Sequence, residues 1–370
     1  MKKTLIAAAL AATLGAQVDA APGLPPNARS STFLSPPYTV DKKYASMVGP
    51  QSKQLIHVAE FEKPELIWVL GYKAEMVGPD GETLLSQEFM CHSNLDINMI
   101  QHLRIFDLDR QARSRVFTLS QGQQEIRFPP GFGFPMISKE AFSLQTQVLN
   151  LNIDKPENLQ VRHRITVHYV REKERTTPLK PLFLLGVNAL VLLEGKDAHF
   201  GVEAPDPNIH GEGCSLGTIA SDGSAMHPDP LGRMFAGHWL VKPGREVNHT
   251  NVTRLLELPF DTTVHYAAVH LHPFAESLEL RDLTTNRSLF VSKARNQVGK
   301  IGLTEVDYYS SAEGFPLFKN HEYEVISTYN NTSGVIQDAM GSMFLYGLDK
   351  QWKGLTPLPK AGSAATPGGR

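Results

Sequence analysis

The stretch Val264–Asp282, VHYAAVHLHPFAESLELRD, decides the fold class of this chain. It contains the end of one short apolar strand, a break at Pro273 and the start of a second strand. Alternate side chains of a strand leave the same face, so His270 and His272 project side by side. The stretch therefore predicts β structure that carries a pair of imidazoles on one face.

The same pattern extends outward along most of the chain, where short strand-like segments are separated by Pro, Gly, Asn and Asp. Helical periodicity is nearly absent. Examples of the strand-like segments are ELIWVLGYKAEMV, AFSLQTQVLNLNI, VRHRITVHYV, HEYEVISTYN and GSMFLYGLD. This spacing predicts an all-β protein with two tandem antiparallel β-sandwich, jelly-roll-like domains.

Composition shifts predict where these domains begin and end. The charged, Pro-containing segment 171–181 separates an N-terminal sandwich, residues 38–176, from a C-terminal sandwich, residues 177–352. Residues 196–238 are too long and too rich in Gly, Pro and Asp for ordinary sheet, so we expect an inserted loop. Residues 353–370 are expected to form a disordered tail.

The N-terminus, MKKTLIAAALAATLGAQVDA, has two lysines, an apolar run and small residues before a cleavage site near Ala20. We interpret residues 1–20 as a signal peptide and expect a periplasmic or secreted protein. The later apolar stretch Pro181–Leu193 is too short to cross a bilayer, so no membrane insertion is expected. A net charge of −2 does not favour nucleic acid as a partner.

Familiar catalytic signatures are missing from the sequence, since it has no GxSxG, HExxH, Walker A or CxxC motif. The remaining chemistry is histidine with sulfur. Met340 enters an aromatic strand after a polar loop, and a thioether beside His270 and His272 suits copper better than Zn²⁺ or Mg²⁺. The simpler alternative is a hydrogen-bonded histidine pair and a methionine that fills a core gap.

At these residues the sequence resembles the copper type II, ascorbate-dependent monooxygenases, which include peptidylglycine α-hydroxylating and dopamine β-monooxygenases. VKPGREVN, VHLHPF and IQDAMGSMFLYG are similar to the family's turn, His-x-His and methionine segments. The resemblance implies two β-sandwiches with a copper on each. It further implies that His270, His272 and Met340 hold the copper that activates O2 for C–H hydroxylation of a small organic substrate, with electrons from an external reductant.

The first-domain copper of the family has less exact counterparts. The resemblance places Cys91 and His92 where the family has adjacent histidines, and Asn150 where it has a third. Cys91 is either a thiolate ligand beside His92 in a remodelled site, or the disulfide partner of Cys214 in a chain that has lost this copper. Three other histidines are candidates to complete a remodelled site: His102, His163 and His168.

The residues that bind substrate in peptide-amidating members are also replaced. The matching positions are Ala268, Ser342 and Phe344, and no Arg is present there to neutralise a peptide carboxylate. A neutral or aromatic small molecule is therefore the expected substrate.

Further histidines receive structural interpretations. By strand parity His265 faces away from His270, and His163 and His168 leave opposite faces of one strand. The inserted loop is dense in imidazole and sulfur and is expected to cover the copper, to supply a missing ligand, or to be solvated. Its residues of this kind are His199, His210, Cys214, Met226, His227 and His238.

Three functions are therefore predicted as alternatives. The first is an exported copper-dependent monooxygenase, and the second is a non-catalytic copper-binding or carrier protein. The third is a metal-free adhesion or glycan-binding module, because the sandwich fold alone does not specify a function.

Overall fold

The computed structural model describes residues 23–111, 113–192, 226–228 and 234–355. Within these ranges the chain is mostly β-strand, and the strands pair in antiparallel sheets with one short parallel contact. Two short α-helices interrupt them, α1 (Met99–Phe106) and α2 (Thr253–Leu256). The predicted all-β fold class is confirmed.

In the N-terminal half, the strands Gln51–Ile56 and Leu159–Arg171 alternate in burial along most of their length, whereas Leu66–Val77 and Met90–Ile97 are buried on both faces. Strand β1 precedes the predicted domain start at residue 38 and pairs with β10, so the sheet begins earlier than expected. The bounds are β1 Arg29–Leu34, β2 Tyr38–Val40, β3 Gln51–Ile56, β4 Leu66–Val77, β5 Met90–Ile97, β6 Arg115–Leu119, β7 Glu125–Arg127, β8 Phe132–Ile137, β9 Phe142–Val148 and β10 Leu159–Arg171.

The strands of the C-terminal half include three short ones within or beside the predicted loop 196–238, the rest of which lies outside the described residues. The bounds are β11 Lys180–Asn188, β12 Val191–Leu192, β13 Met226–Pro228, β14 Met234–Ala236, β15 His238–Val241, β16 Gly244–Asn251, β17 Thr262–Leu271, β18 Ala275–Asp282, β19 Arg287–Asn296, β20 Leu303–Val306, β21 Tyr309–Leu317, β22 Tyr323–Asn331 and β23 Gln337–Leu348.

One long sheet runs through both halves in the order β1-β10-β4-β8-β11-β23-β17-β21, and β15 also pairs with β23. The halves join where β11 pairs in parallel with β8. The N-terminal half has a second sheet, β3-β9-β5-β6, and the C-terminal half has a second sheet, β16-β22-β18-β19-β20. Each half thus resembles a sandwich, and the joined sheet connects them.

Strands β17 and β23 are buried on both faces. Val269 and Leu345 face the core of the C-terminal half. Their strand neighbours Ala268 and Phe344 belong instead to the core shared with the N-terminal half. The second face of these strands therefore lies between the two halves, and this face carries the predicted metal ligands.

Among the residues that the structure describes, no helix has the length and apolar character needed to cross a membrane. The predicted signal peptide, residues 356–370 of the predicted tail and Cys214 lie outside the described residues.

Candidate metal centre

The predicted ligands lie on neighbouring strands of the joined sheet. His270 of β17 pairs with Ser342 of β23, and His272 directly follows the end of β17. The last paired residues of these strands are Leu271 and Gly341, so the next residue along β17, His272, lies beside Met340. All three ligands predicted from sequence therefore share the face that lies between the halves.

His270 has the surroundings of a metal ligand. Its side chain is buried, and neither ring nitrogen has a hydrogen-bond partner in the described part of the chain. Burial lowers its pKa well below the usual value, and the nearby His272, His92 and His238 lower it further. The ring is therefore neutral at ordinary pH, with lone-pair electrons that nothing else in the described structure uses.

The His272 and Met340 backbones are held together by Tyr329, a buried tyrosine of β22. The Tyr329 hydroxyl accepts hydrogen bonds from the backbone N–H groups of His272, at 3.2 Å, and Met340, at 3.3 Å. The His270 and His272 rings are perpendicular, with centroids 5.2 Å apart. This fixed backbone gives two imidazoles and a thioether a defined spacing before any metal binds.

Two further residues of the site are Asp338, which was not predicted, and His238, which was considered only as one of several loop histidines. His238 of β15 pairs directly with Met340, and its ring centroid lies 5.0 Å from that of His272. Asp338 lies two residues before Met340, and its Oδ2 is 3.0 Å from His272 Nδ1. Asp338 and Met340 are two residues apart on one strand, so the alternation of side chains could have identified Asp338 from the sequence. His238 could not be identified in this way, because no sequence pattern shows that β15 pairs with β23.

The N-terminal half supplies the opposite wall of the site. His92, Asn94 and Arg115 face His270 and Met340 across a cavity of about 10 Å³, close to the smallest space that holds one water molecule. Asn94 Oδ1 is buried and has no hydrogen-bond partner in the described ranges. The cavity suits a single small polar ligand and excludes an organic substrate.

The predicted first-domain site has other contacts. His92 Nε2 donates to Gln147 Oε1 at 3.0 Å, and its Nδ1 accepts from Asn94 at 2.9 Å. Burial, together with Arg115, lowers the pKa of His92 to about 3. Both ring nitrogens are thus already occupied by amides.

Cys91 and Asn150 lie in different surroundings from His92. Cys91 is buried in a small apolar cluster with Met47 and Leu149. The Asn150 amide donates to the backbone carbonyls of Lys42 and Ile153, both at 2.8 Å, so it fixes a turn. Because Cys214 lies outside the described residues, the disulfide and thiolate alternatives for Cys91 stay open.

The three histidines considered for completing that site are not grouped around it. His102 contacts Glu140 at 3.0 Å, and His168 contacts the Ser30 hydroxyl at 2.8 Å. His163 is fully buried close to His92, which contributes to lowering its pKa. The structure thus brings His163, but neither of the others, toward His92.

His265 lies at a bulge in β17, between Val264 and Tyr266 and five residues before the predicted ligand His270. Its ring stacks on Phe132 and contacts the Thr263 hydroxyl and the Ser311 carbonyl. These contacts give it a structural role.

The predicted substrate positions lie in the interior between the halves. Ala268 and Phe344 are 1% and 3% exposed, and the Ser342 hydroxyl donates to Asn188 Oδ1 at 2.7 Å. These three positions are thus packed in the interior and are not open to an organic substrate. Of the predicted loop ligands, His199, His210 and Cys214 lie outside the described residues.

Comparisons with known proteins add no functional information. No protein-family model and no curated protein matches the chain. PBCV-1 VP54, fitted into a cryo-EM reconstruction of the virophage Sputnik, is 8% identical with a TM-score of 0.33, covering 90% of this chain and 97% of that one. The STIV MCP is 10% identical with a TM-score of 0.31, covering 89% and 100%. Similarity at this level carries no argument about activity.

Proposed function

We propose that this chain is an exported copper-binding protein that holds copper on His270, His272 and Met340. The observation that carries the proposal is the buried His270 ring, whose two nitrogens have no hydrogen-bond partner in the described residues. An unsatisfied buried polar group costs about 1–3 kcal/mol, and a metal bond removes that cost. Two imidazoles and a thioether form a donor set that suits Cu(I).

The closed surroundings favour copper carriage or storage over catalysis on an organic substrate. An open groove of about 720 Å³ lies along Tyr266, Gln123 and Tyr308. Tyr266 and His270 are four residues apart on one extended strand, which corresponds to about 13 Å. A molecule in that groove would therefore not reach copper at His270.

The proposal is tested by titrating the mature protein with Cu(I) under anaerobic conditions against a chromophoric chelator. Because loss of even an outer partner of a metal ligand costs about 10- to 100-fold in affinity, His270→Gln and Met340→Leu are expected to lose at least that much. His249→Gln is the matched control, since His249 is an exposed histidine paired with Glu324. Unchanged Cu(I) affinity in both site variants would contradict the proposal.

A second candidate is a copper-dependent monooxygenase that uses O2 and an external reductant. The cavity between His270, Met340 and His92 favours it, because that space accommodates a small exogenous ligand beside the copper. Oxygen consumption by the copper-loaded protein with a reductant, lost in His270→Gln, would support this candidate. Copper retention without oxygen consumption would support carriage.

A further inference from the structure

The face between the two halves contains more donor atoms than the proposed copper site uses. His238, His272 and Asp338 each offer one ligand atom, and these three atoms lie within 4.8 Å of one another. We propose that they form a second donor set that binds a divalent cation such as Zn²⁺. It shares His272 with the copper site and does not depend on copper being bound.

The strand register creates this group. His238 is paired with Met340 across β15 and β23, and Asp338 lies two residues from Met340, on the same face of β23. His272 approaches from the other side, beyond the end of β17. Three separate strands thus converge on one point, and both histidines are at least nine-tenths buried.

The two distances to Asp338 Oδ2 lie just below and just above those expected between ligands of a common ion. His272 Nδ1 lies 3.0 Å from Asp338 Oδ2, and His238 Nε2 lies 3.9 Å from the same oxygen. With metal–ligand bonds of about 2.0–2.2 Å, neighbouring ligand atoms in a tetrahedral site are separated by about 3.3–3.6 Å. The approach of His272 to Asp338 is close but is not aligned as a hydrogen bond.

The chemistry of the two donor sets differs. Two imidazoles and a carboxylate favour a borderline divalent ion, whereas two imidazoles and the Met340 thioether favour Cu(I). Asp338 keeps 30% of its side chain exposed, which gives the second set a route to solvent. The chain therefore holds a soft and a harder donor set around His272.

The experiment measures Zn²⁺ and Cu(I) affinities separately for the mature full-length protein and its variants. Asp338→Asn keeps the side-chain size and removes the charge, so Zn²⁺ affinity is expected to fall at least about tenfold more than Cu(I) affinity, because the copper set loses only an outer partner of His272. Met340→Leu is expected to give the opposite result. Asp282→Asn is the matched control, because Asp282 forms another His–Asp pair, with His321 at 2.7 Å.

A second variant and a spectroscopic measurement guard against misfolding. His238→Gln is expected to weaken Zn²⁺ as Asp338→Asn does, and X-ray absorption of the Zn²⁺ form is expected to show nitrogen and oxygen neighbours without sulfur. Wild-type Zn²⁺ affinity in both variants, or sulfur bound to Zn²⁺, would overturn the proposal. Failure of the wild-type protein to bind Cu(I), with Zn²⁺ binding intact, would contradict the proposed function and support this second site.

Discussion

Two buried histidines, His163 and His270, have no hydrogen-bond partner for either ring nitrogen among the described residues. His270 lies beside His272, whereas the candidate ligand close to His163 is His92, whose ring nitrogens are both hydrogen-bonded to amides. His163 packs against the edge of Tyr38, with ring centroids 6.2 Å apart, and the Gln147 backbone approaches it without hydrogen-bond alignment. We therefore interpret His163 as a neutral core residue.

This interpretation predicts how acid affects stability. Burial, with a contribution from His92, lowers the pKa of His163 to about 3. Between that value and about 6.5, the unfolded chain binds a proton that the folded chain does not, so the free energy of unfolding decreases as pH decreases. One such histidine contributes a slope of roughly 1 kcal/mol per pH unit.

His163→Leu removes this contribution without leaving a large cavity. In urea unfolding at several values between pH 4.5 and pH 7.5, the variant is expected to lose stability less steeply on acidification, by roughly 1 kcal/mol per pH unit. Near neutral pH it is expected to be as stable as wild type or more so, because an unsatisfied polar group is removed. An unchanged slope would contradict a neutral, buried His163.

The site was only partly predictable at the scale of single residues. Period-two alternation places His270 and His272 on one face, and the same rule applied to Met340 would have identified Asp338. His238 could not be found this way, because its position depends on which strand β15 pairs with. Pairing between distant strands leaves no local pattern in a Gly- and Pro-rich segment.

At the scale of elements, a bulge in β17 shifts the pairing register of the strand that carries His270. The pairing of β17 with β21 and β23 shifts between Val264 and Tyr266. Residues 311–314 of β21 have no pairing partner on β17 at this point, and His265 Nδ1 donates to the Ser311 carbonyl at 3.1 Å. His265 lies at the shift itself, and its ring contacts Phe132 and the Ser311 carbonyl.

Gly314 is the residue that makes this bulge possible. Its φ of +74° suits glycine, and a Cβ there would lie 2.6 Å from the Val264 carbonyl oxygen. Gly334 has a similar φ of +77° with open space around it, so Gly334→Ala is the matched control. Gly314→Ala is expected to cost at least about 1 kcal/mol more than the control, because it adds a clash to the shared backbone strain.

The measurement is the free energy of unfolding of both variants, from denaturant unfolding of the metal-free protein. A second readout is Cu(I) affinity, which is expected to decrease in Gly314→Ala because the register of His270 and His272 depends on the bulge. Equal destabilisation in the two variants, with Cu(I) affinity unchanged, would show that the bulge does not control the site.

At the scale of the whole molecule, the two halves share one core. Tyr346 of β23 packs on Phe117 and Phe128 of the N-terminal half, and its hydroxyl donates to the Val116 carbonyl at 2.9 Å. The all-β class could be predicted from the alternating pattern. The packing of the two halves on each other could not be predicted, because a sequence shows that both faces of a strand are apolar without showing what covers each face.

The shared core predicts that metal binding stabilises both halves, although every proposed ligand lies in the C-terminal half. If the halves unfold together, Cu(I) at about 100 times its dissociation constant adds about 2.7 kcal/mol to the opening of every core strand. Hydrogen exchange of the slowest amides is therefore expected to slow by a similar factor, about 100-fold, in β4 and in β22. His249→Gln is expected to behave as wild type, and His270→Gln to show little change on adding Cu(I). Slowing confined to the C-terminal strands would show that the halves open separately and that their shared core does not couple them.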